Sequence, residues 1–369
     1  MAREGIDVIS LSIGEPDFDT PRHIRDACCE SLRRGDTHYA PSRGIPELLR
    51  AIAGKIQSDN GFPCSPEQVI ATAGAKSAIA TAMEACLNPG DEVILLDPAW
   101  VSYEPCVQLA GGRVVHHRLN EKTFLPDDTL LDRITGRTTM IVVNSPCNPT
   151  GAVFDKKSLK LVSDLCIDYE LLAMSDEIYE KLVYGKEHVS LASIGDMATR
   201  TITVNGFSKA YAMTGWRLGF GIAPPPLAAL FEMYNVNIVS CPVTFAQHGA
   251  LAALRGTQEP TRVMVEEFRR LIRQVGEHPH EQEERAHQNI RTDGEHVPGE
   301  RRAEVGPDTS LVWIWHQPEC EPGPSDVDQG EDAGAHDRED RHGQIGDLSH
   351  SCRRHALQKR VSSTTGTEL

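Results

Sequence analysis

No apolar run in this sequence reaches the roughly 18 residues that a membrane-spanning helix needs, so no membrane partner is expected. A basic surplus is missing too. Lys and Arg number 37 against 53 Asp and Glu, and the net charge of -16 argues against nucleic acid and anionic membrane surfaces as partners. Ten cysteines are present, yet none forms a Cys-x-x-Cys pair or a Cys/His spacing suited to zinc. They read as reduced, mostly buried thiols, and no metal is expected. No G-x-G-x-x-G lies between a strand and a helix, which removes a dinucleotide-binding dehydrogenase. Residues 1–5 show no apolar leader pattern, and the expected location is cytoplasmic. What is present is a 369-residue chain with 40% hydrophobic residues, enough for one large α/β domain and a smaller one.

The chain divides into two unlike parts. Up to about residue 275, short apolar segments alternate with helical stretches. Strands are expected at 69–73, 92–96, 140–144, 171–175 and 201–205, with helices at 75–87 and 157–170. Such alternation predicts a mostly parallel sheet with helices on both faces, a three-layer α/β/α domain. From about Gly276 the character changes. The last 94 residues hold no Phe or Tyr, only 12 Leu, Ile and Val, a single lysine, and nine of the fifteen histidines. Low apolar content with net negative charge is the composition of a chain that cannot bury a core. Three readings stay open for this part: a disordered extension, a divergent small domain, or a shifted reading frame. The Arg/His/Gly/Pro-rich, Lys-poor composition favours the third. Its histidines, His278 and His280 among them, are scattered among charges and read as solvated residues.

Several motifs lie at strand ends. The longest is Asn205-Gly206-Phe207-Ser208-Lys209-Ala210-Tyr211-Ala212-Met213-Thr214-Gly215-Trp216-Arg217. A lysine in a loop of small residues after a strand is suited to a cleft. Ser208 and Arg217 can both bind a phosphate, the arginine through its planar fork. In Ser175-Asp176-Glu177-Ile178-Tyr179, the aspartate follows an apolar strand, and open α/β sheets bind ligands at the carboxyl ends of their strands. Asn144-Ser145-Pro146-Cys147-Asn148-Pro149-Thr150-Gly151 is a turn stiffened by two prolines. Gly74-Ala75-Lys76 opens a helix directly after a strand, and helix N-terminal amides are good phosphate ligands. Asp97-Pro98-Ala99-Trp100 places an indole at another strand end.

Together these motifs resemble the fold-type I aminotransferases of class I/II, enzymes that use pyridoxal 5'-phosphate. The match of order and spacing runs from Leu11 to about Leu254, and the lysine segment is its most specific part. The resemblance implies that Lys209 holds the cofactor and moves protons, and that Asp176 pairs with the pyridine nitrogen. It implies that Tyr179 and Asn148 bond the ring oxygen, with Asn148 also shaping the substrate carboxylate site. Trp100 would stack on the ring and border the substrate. Gly74, Ala75, Lys76, Ser208 and Arg217 would hold the phosphate. Gly14, in Ser12-Ile13-Gly14-Glu15-Pro16, would lie near the amino acid. Tyr39 would reach the phosphate of a neighbouring subunit, which implies a homodimer.

The implied reaction moves an amino group from an L-amino acid to a 2-oxo acid by a ping-pong route, with aspartate- or aromatic-type enzymes the nearest branch. A carbon–sulfur lyase on the same fold, or an inactive cofactor-binding paralogue, is the alternative. The resemblance divides the chain into residues 1–35 on the small-domain side, 36–275 as the cofactor-binding domain, and 276–369 as an atypical tail. The family's extra N-terminal helix is not found ahead of Gly5. Nor is its C-terminal small domain with the carboxylate-clamping arginine. Arg353 and Arg354 are nearest in position, but no apolar strand surrounds them and the role is not carried over. Cofactor binding is therefore expected more readily than turnover.

Overall fold

The structure, a computed structural model, describes residues 14–277. Seven strands form one sheet: β1 (Val69–Thr72), β2 (Glu92–Asp97), β3 (Arg113–Arg118), β4 (Thr138–Asn144), β5 (Leu172–Asp176), β6 (Thr201–Gly206) and β7 (Gly219–Ile222). Their spatial order is β1-β7-β6-β5-β4-β2-β3. Every neighbouring pair is parallel except those of β7, which runs antiparallel to β1 and β6. The helices are α1 (Arg22–Arg34), α2 (Pro46–Lys55), α3 (Ala75–Cys86), α4 (Tyr103–Leu109), α5 (Lys156–Asp168), α6 (Pro225–Ile238), α7 (Thr244–Arg255) and α8 (Glu259–Glu277). The expected three-layer α/β/α domain with a mostly parallel sheet is the one found. Strands β3 and β7 come in addition to those expected.

The central strands are buried on both faces, and their alternate side chains go to different helical layers. Val93 and Leu95 of β2, with Met140 and Val142 of β4, pack under α3 and α6. Ile94, Leu96, Ile141 and Val143 point the other way, into Leu159 and Val162 of α5. That helix starts where Asp155 accepts the amide of Ser158 at 2.7 Å, an N-cap that satisfies a donor the helix cannot. A third cluster joins α1, α2 and α7 to β1 and β7 through Ile24, Ile52, Ala250, Val69 and Phe220.

This topology gathers the motifs at one end of the sheet. Asn144 and Asp176 are register partners at the carboxyl ends of β4 and β5. Gly206 ends β6 opposite Gly219, and Thr72 ends β1 opposite the same glycine. Gly219 has to be glycine: a Cβ there would stand 2.4 Å from the amide nitrogen of Ala75, so the start of β7 passes directly under the first turn of α3. The tail from 276, with Arg353, Arg354 and the apolar residues 311–315, lies outside the described residues apart from the end of α8, as does the chain before Gly14.

Candidate active site

Asp176 is buried at the last position of β5. Its Oδ2 accepts the Tyr103 hydroxyl at 2.7 Å and its Oδ1 the Ile178 amide at 3.2 Å. Burial pushes its carboxyl up to about 6, against the lowering effect of those two donors, and the neighbouring Glu177 carboxylate adds to the rise. A buried acid held by neutral donors has room in its electrostatics for a cation. Asn144 Nδ2 donates to the Asp176 carbonyl at 3.0 Å, and Asn144 Oδ1 accepts the Asn148 amide at 2.7 Å, so the proline turn is fastened to β5. From there Asn148 Nδ2 donates to the Tyr179 hydroxyl at 3.4 Å. Burial raises that phenol to about 12, so it stays a proton donor at any working pH.

Lys209 is half-buried, and its Nζ lies 5.8 Å from the centre of the Tyr179 ring. Its ammonium donates to the carbonyl of Gly14, which brings the N-terminal segment onto the lysine loop. Two more bonds fasten that segment: Thr214 Oγ1 to Glu15 Oε2 at 2.8 Å, and Trp216 Nε1 to Thr20 Oγ1 at 3.0 Å. Burial lowers the Lys209 pKa below the ordinary ammonium value. The Glu15 carboxylate opposes that shift and the Arg217 charge adds to it. A lysine poised in this way yields a neutral amine more readily than a solvated one.

The cationic corner is built by α3 and the loop before β7. Arg217 adopts a left-handed backbone (φ 51°) and anchors Nη1 on the Thr214 carbonyl at 2.9 Å. Its Nη2 would lie 2.6 Å from a Cβ on Gly74, whose φ is +86°. The guanidinium and the first amides of α3 thus converge on space that only glycine leaves open, which suits a phosphate. Lys76 Nζ stands 4.9 Å from the Trp100 ring, and Trp100 packs edge-on against Tyr103 at 5.4 Å. Ser208 is buried beside Lys209.

The structure therefore brings together Gly14, Gly74, Ala75, Lys76, Trp100, Asn148, Asp176, Tyr179, Ser208, Lys209 and Arg217 at one sheet end. Tyr39 stands outside this web, 87% exposed. Two residues that hold the site had no role assigned from sequence. Tyr103 bonds Asp176, and Asn144 ties two motifs. Asn144 lies inside a motif already singled out, and Tyr103 stands three residues beyond Trp100 at the start of α4.

A buried acid, a lysine of lowered pKa and an arginine–helix cradle are what an aldehyde-bearing pyridine phosphate requires, and comparison with known proteins agrees. Residues 6–278 match the model of the family described as aminotransferase class I and II. The chain is 44% identical over 275 residues to the aspartate/prephenate aminotransferase of Thermus thermophilus, covering 74% of this chain and 71% of that protein. It is 46% identical over 271 residues to the aspartate aminotransferase of Pyrococcus abyssi, covering 72% and 68%. Among solved structures, the Thermus thermophilus aspartate aminotransferase with maleate superposes with a TM-score of 0.71 at 43% identity, covering 75% of this chain and 72% of that one. The aromatic aminotransferase of Pyrococcus horikoshii gives 0.70 at 43%, covering 74% of each. The chain belongs to the class I and II aminotransferases. It is an enzyme of amino-group transfer that depends on pyridoxal 5'-phosphate.

Proposed function

We propose that this chain moves the amino group of an L-amino acid, of aspartate or aromatic type, to a 2-oxo acid by a ping-pong route, with Lys209 as the catalytic lysine. The observation that carries this reading is the convergence of Lys209, Asp176 and the Arg217–Gly74 cradle at one sheet end. When bound, pyridoxal phosphate supplies an aldehyde that receives the amino group and a ring that stores the electron pair released at the substrate Cα. Lys209 Nζ would hold the cofactor through its aldehyde carbon and, when free, would take and return the substrate Cα proton, base then acid. Asp176 keeps a proton on the ring nitrogen. Arg217, the hydroxyl of Ser208 and the helix start at Gly74, Ala75 and Lys76 bind the phosphate. Asn148 and Tyr179 donate to the ring oxygen, and the Trp100 indole covers the ring face. Gly14, Trp100 and Asn148 border the substrate.

A homodimer is part of this proposal. The 38–43 segment lies on α6 and α7: Thr244 Oγ1 donates to the His38 carbonyl at 2.7 Å, and Asn235 Nδ2 to that of Ser42 at 2.9 Å. Around it stand Tyr39, Ile238 and Val243 at 87%, 69% and 46% exposure, an apolar patch suited to a second copy. We also place the domain boundary near 275. The family match stops at residue 278, where the composition turns poor in apolar residues. All eight described cysteines are free, which supports a reducing, cytoplasmic setting. Among the described residues, no helix is long and apolar enough to cross a membrane. The carbon–sulfur lyase alternative is not favoured, since the relatives named above are aminotransferases.

The test is the visible spectrum of the purified protein with added cofactor, followed by borohydride and peptide mapping. A bleachable band and a label on Lys209, both absent in Lys209→Ala, are expected. A label on another lysine overturns the assignment. Product formation from an amino acid that requires an added 2-oxo acid separates transfer from lysis.

A further inference from the structure

Next to Asp176 in sequence, on the turn 177–180, sits a buried polar cluster that the proposed chemistry does not use. Glu177 is 1% exposed and accepts from four side chains. The Ser175 and Ser190 hydroxyls donate to Oε1 at 2.9 and 2.7 Å. Oε2 faces His188 Nε2 at 3.2 Å and accepts Asn60 Nδ2 at 2.9 Å. The same Asn60 amide donates its second proton to Glu180 Oε2 at 2.8 Å, and Asn60 Oδ1 accepts from Lys55 Nζ at 2.6 Å. The Lys55 ammonium also pairs with Glu180. Both donor protons of one side-chain amide are thus used on one short turn, 177–180, and its oxygen takes the Lys55 ammonium. Glu177, Glu180 and His188 could offer ligand atoms within 4.8 Å of one another, but the ammonium of Lys55 and the amide of Asn60 already serve the carboxylates.

The placement of Asn60 is itself specified. Residues Ile56–Asn60 form a π-helical turn that continues α2, and Gly61 closes it with φ 73° and an N–H that donates to the Ile56 carbonyl at 3.1 Å. Single π turns cost hydrogen-bond geometry and recur at functional sites. Here the turn carries Asn60 to 4% exposure, against a segment more than a hundred residues away in sequence. Asp59 adds an outer tie to Lys181 at 2.7 Å. The clamped turn bears Asp176 on one flank and Tyr179 between its two glutamates. Both are residues proposed to hold the cofactor ring.

We propose that Asn60 is a positioning residue: by bracketing Glu177 and Glu180 it fixes the turn that presents Asp176 and Tyr179 to the cofactor. The inference rests on the reading of those two residues given under Proposed function. Its physical content is that two buried carboxylates without their shared donor repel one another and reopen the turn.

The experiment uses the full chain. Cofactor affinity and the pH midpoint of the visible band are measured for wild type, Asn60→Ala and Glu180→Gln, together with melting of each protein without cofactor. Asn60→Ala is expected to weaken cofactor binding about tenfold, the effect of one lost hydrogen bond to a charged group. A hydroxyl donating to the ring oxygen favours its anionic form, so withdrawing Tyr179 moves the midpoint up, by at least about half a pH unit. Glu180→Gln keeps the shape and an acceptor for Asn60, and shifts both readouts the same way by less. Unchanged affinity and midpoint in Asn60→Ala overturn the inference, however far its melting temperature falls. If Asn60→Ala does not fold, unchanged readouts in Glu180→Gln overturn it. A wild-type chain that takes up no cofactor overturns the cofactor-site reading and this inference together, whereas a wild type labelled on Lys209 isolates the role of Asn60.

Discussion

At the scale of single residues, Asp176 sets stability against chemistry. Its folded-state pKa is about 6, raised by burial, whereas an unfolded aspartate titrates near the ordinary value of about 4. The folded protein without cofactor therefore binds the Asp176 proton more tightly than the unfolded chain does. Its stability contribution is complete below about pH 4 and declines as pH rises through 6. At pH 7.5 the ionised, buried carboxylate costs on the order of 2–3 kcal/mol. Asp176→Asn is accordingly expected to melt higher than wild type at pH 7.5 without cofactor, the gap closing at pH 4. Turnover with cofactor should fall about 10²–10³-fold, because an amide cannot keep a proton on the ring nitrogen. A melting series across that pH range, beside steady-state rates, checks both halves. A lower melting temperature for the variant at pH 7.5 would mean that Asp176 is paired with a cation already in the protein. Of the residues gathered at the site, the buried strand-end position of Asp176 was legible because its own flanking run carries the signal. Its Tyr103 partner lies 73 residues away and Asn60 lies 117 from Glu177, distances over which a linear reading has nothing to pair them.

At the scale of elements, what could be read depended on burial. Strands β2, β4 and β5 are inside on both faces and carry the apolar runs Val93–Leu96, Met140–Val143 and Leu172–Met174, while the equally buried β6 alternates Thr-Ile-Thr-Val. Strand β7 is four residues long with two glycines, and glycine weakens the strand signal. Its glycines answer instead to a tertiary demand, the close passage beneath α3. Strand β3, Arg-Val-Val-His-His-Arg, is an edge strand, and its polar residues hid it. The start of α3 shows the same logic in reverse. There Gly74 has φ +86° and ψ 163°, a region closed to side chains, and a Cβ would strike Arg217. Gly74→Ala should lower stability by about 1–3 kcal/mol through backbone strain. It should also weaken cofactor affinity at least about tenfold by displacing the guanidinium, since each 1.4 kcal/mol lost is tenfold. Melting curves and cofactor titration separate the two effects. A stability loss without an affinity loss would remove the Arg217–Gly74 corner from the phosphate site.

At the scale of the whole molecule, the homodimer proposed on the exposed patch around Tyr39 would link assembly to cofactor binding. Ile238 at the end of α6 and Val243 before α7 leave apolar surface in water close to a tyrosine that touches nothing in its own site. If a second copy covers that surface, each site gains the partner's Tyr39 as a phosphate donor. Cofactor affinity then becomes a function of protein concentration, because anything that binds only the dimer pulls the dimer together. Ile238→Glu places a charge in the patch and is expected to yield a monomer by light scattering, with its fold intact, as the position is 69% exposed. Tyr39→Phe leaves the patch apolar and should keep the dimer while weakening cofactor binding about fivefold to tenfold, the contribution of one hydrogen bond to a charged group. The two variants separate surface from donor. Loss of affinity in Ile238→Glu that protein concentration cannot restore, together with loss in Tyr39→Phe, fits a shared site. A monomeric Ile238→Glu that binds cofactor as tightly as wild type would mean that each chain builds its phosphate site alone, from Arg217 and the start of α3.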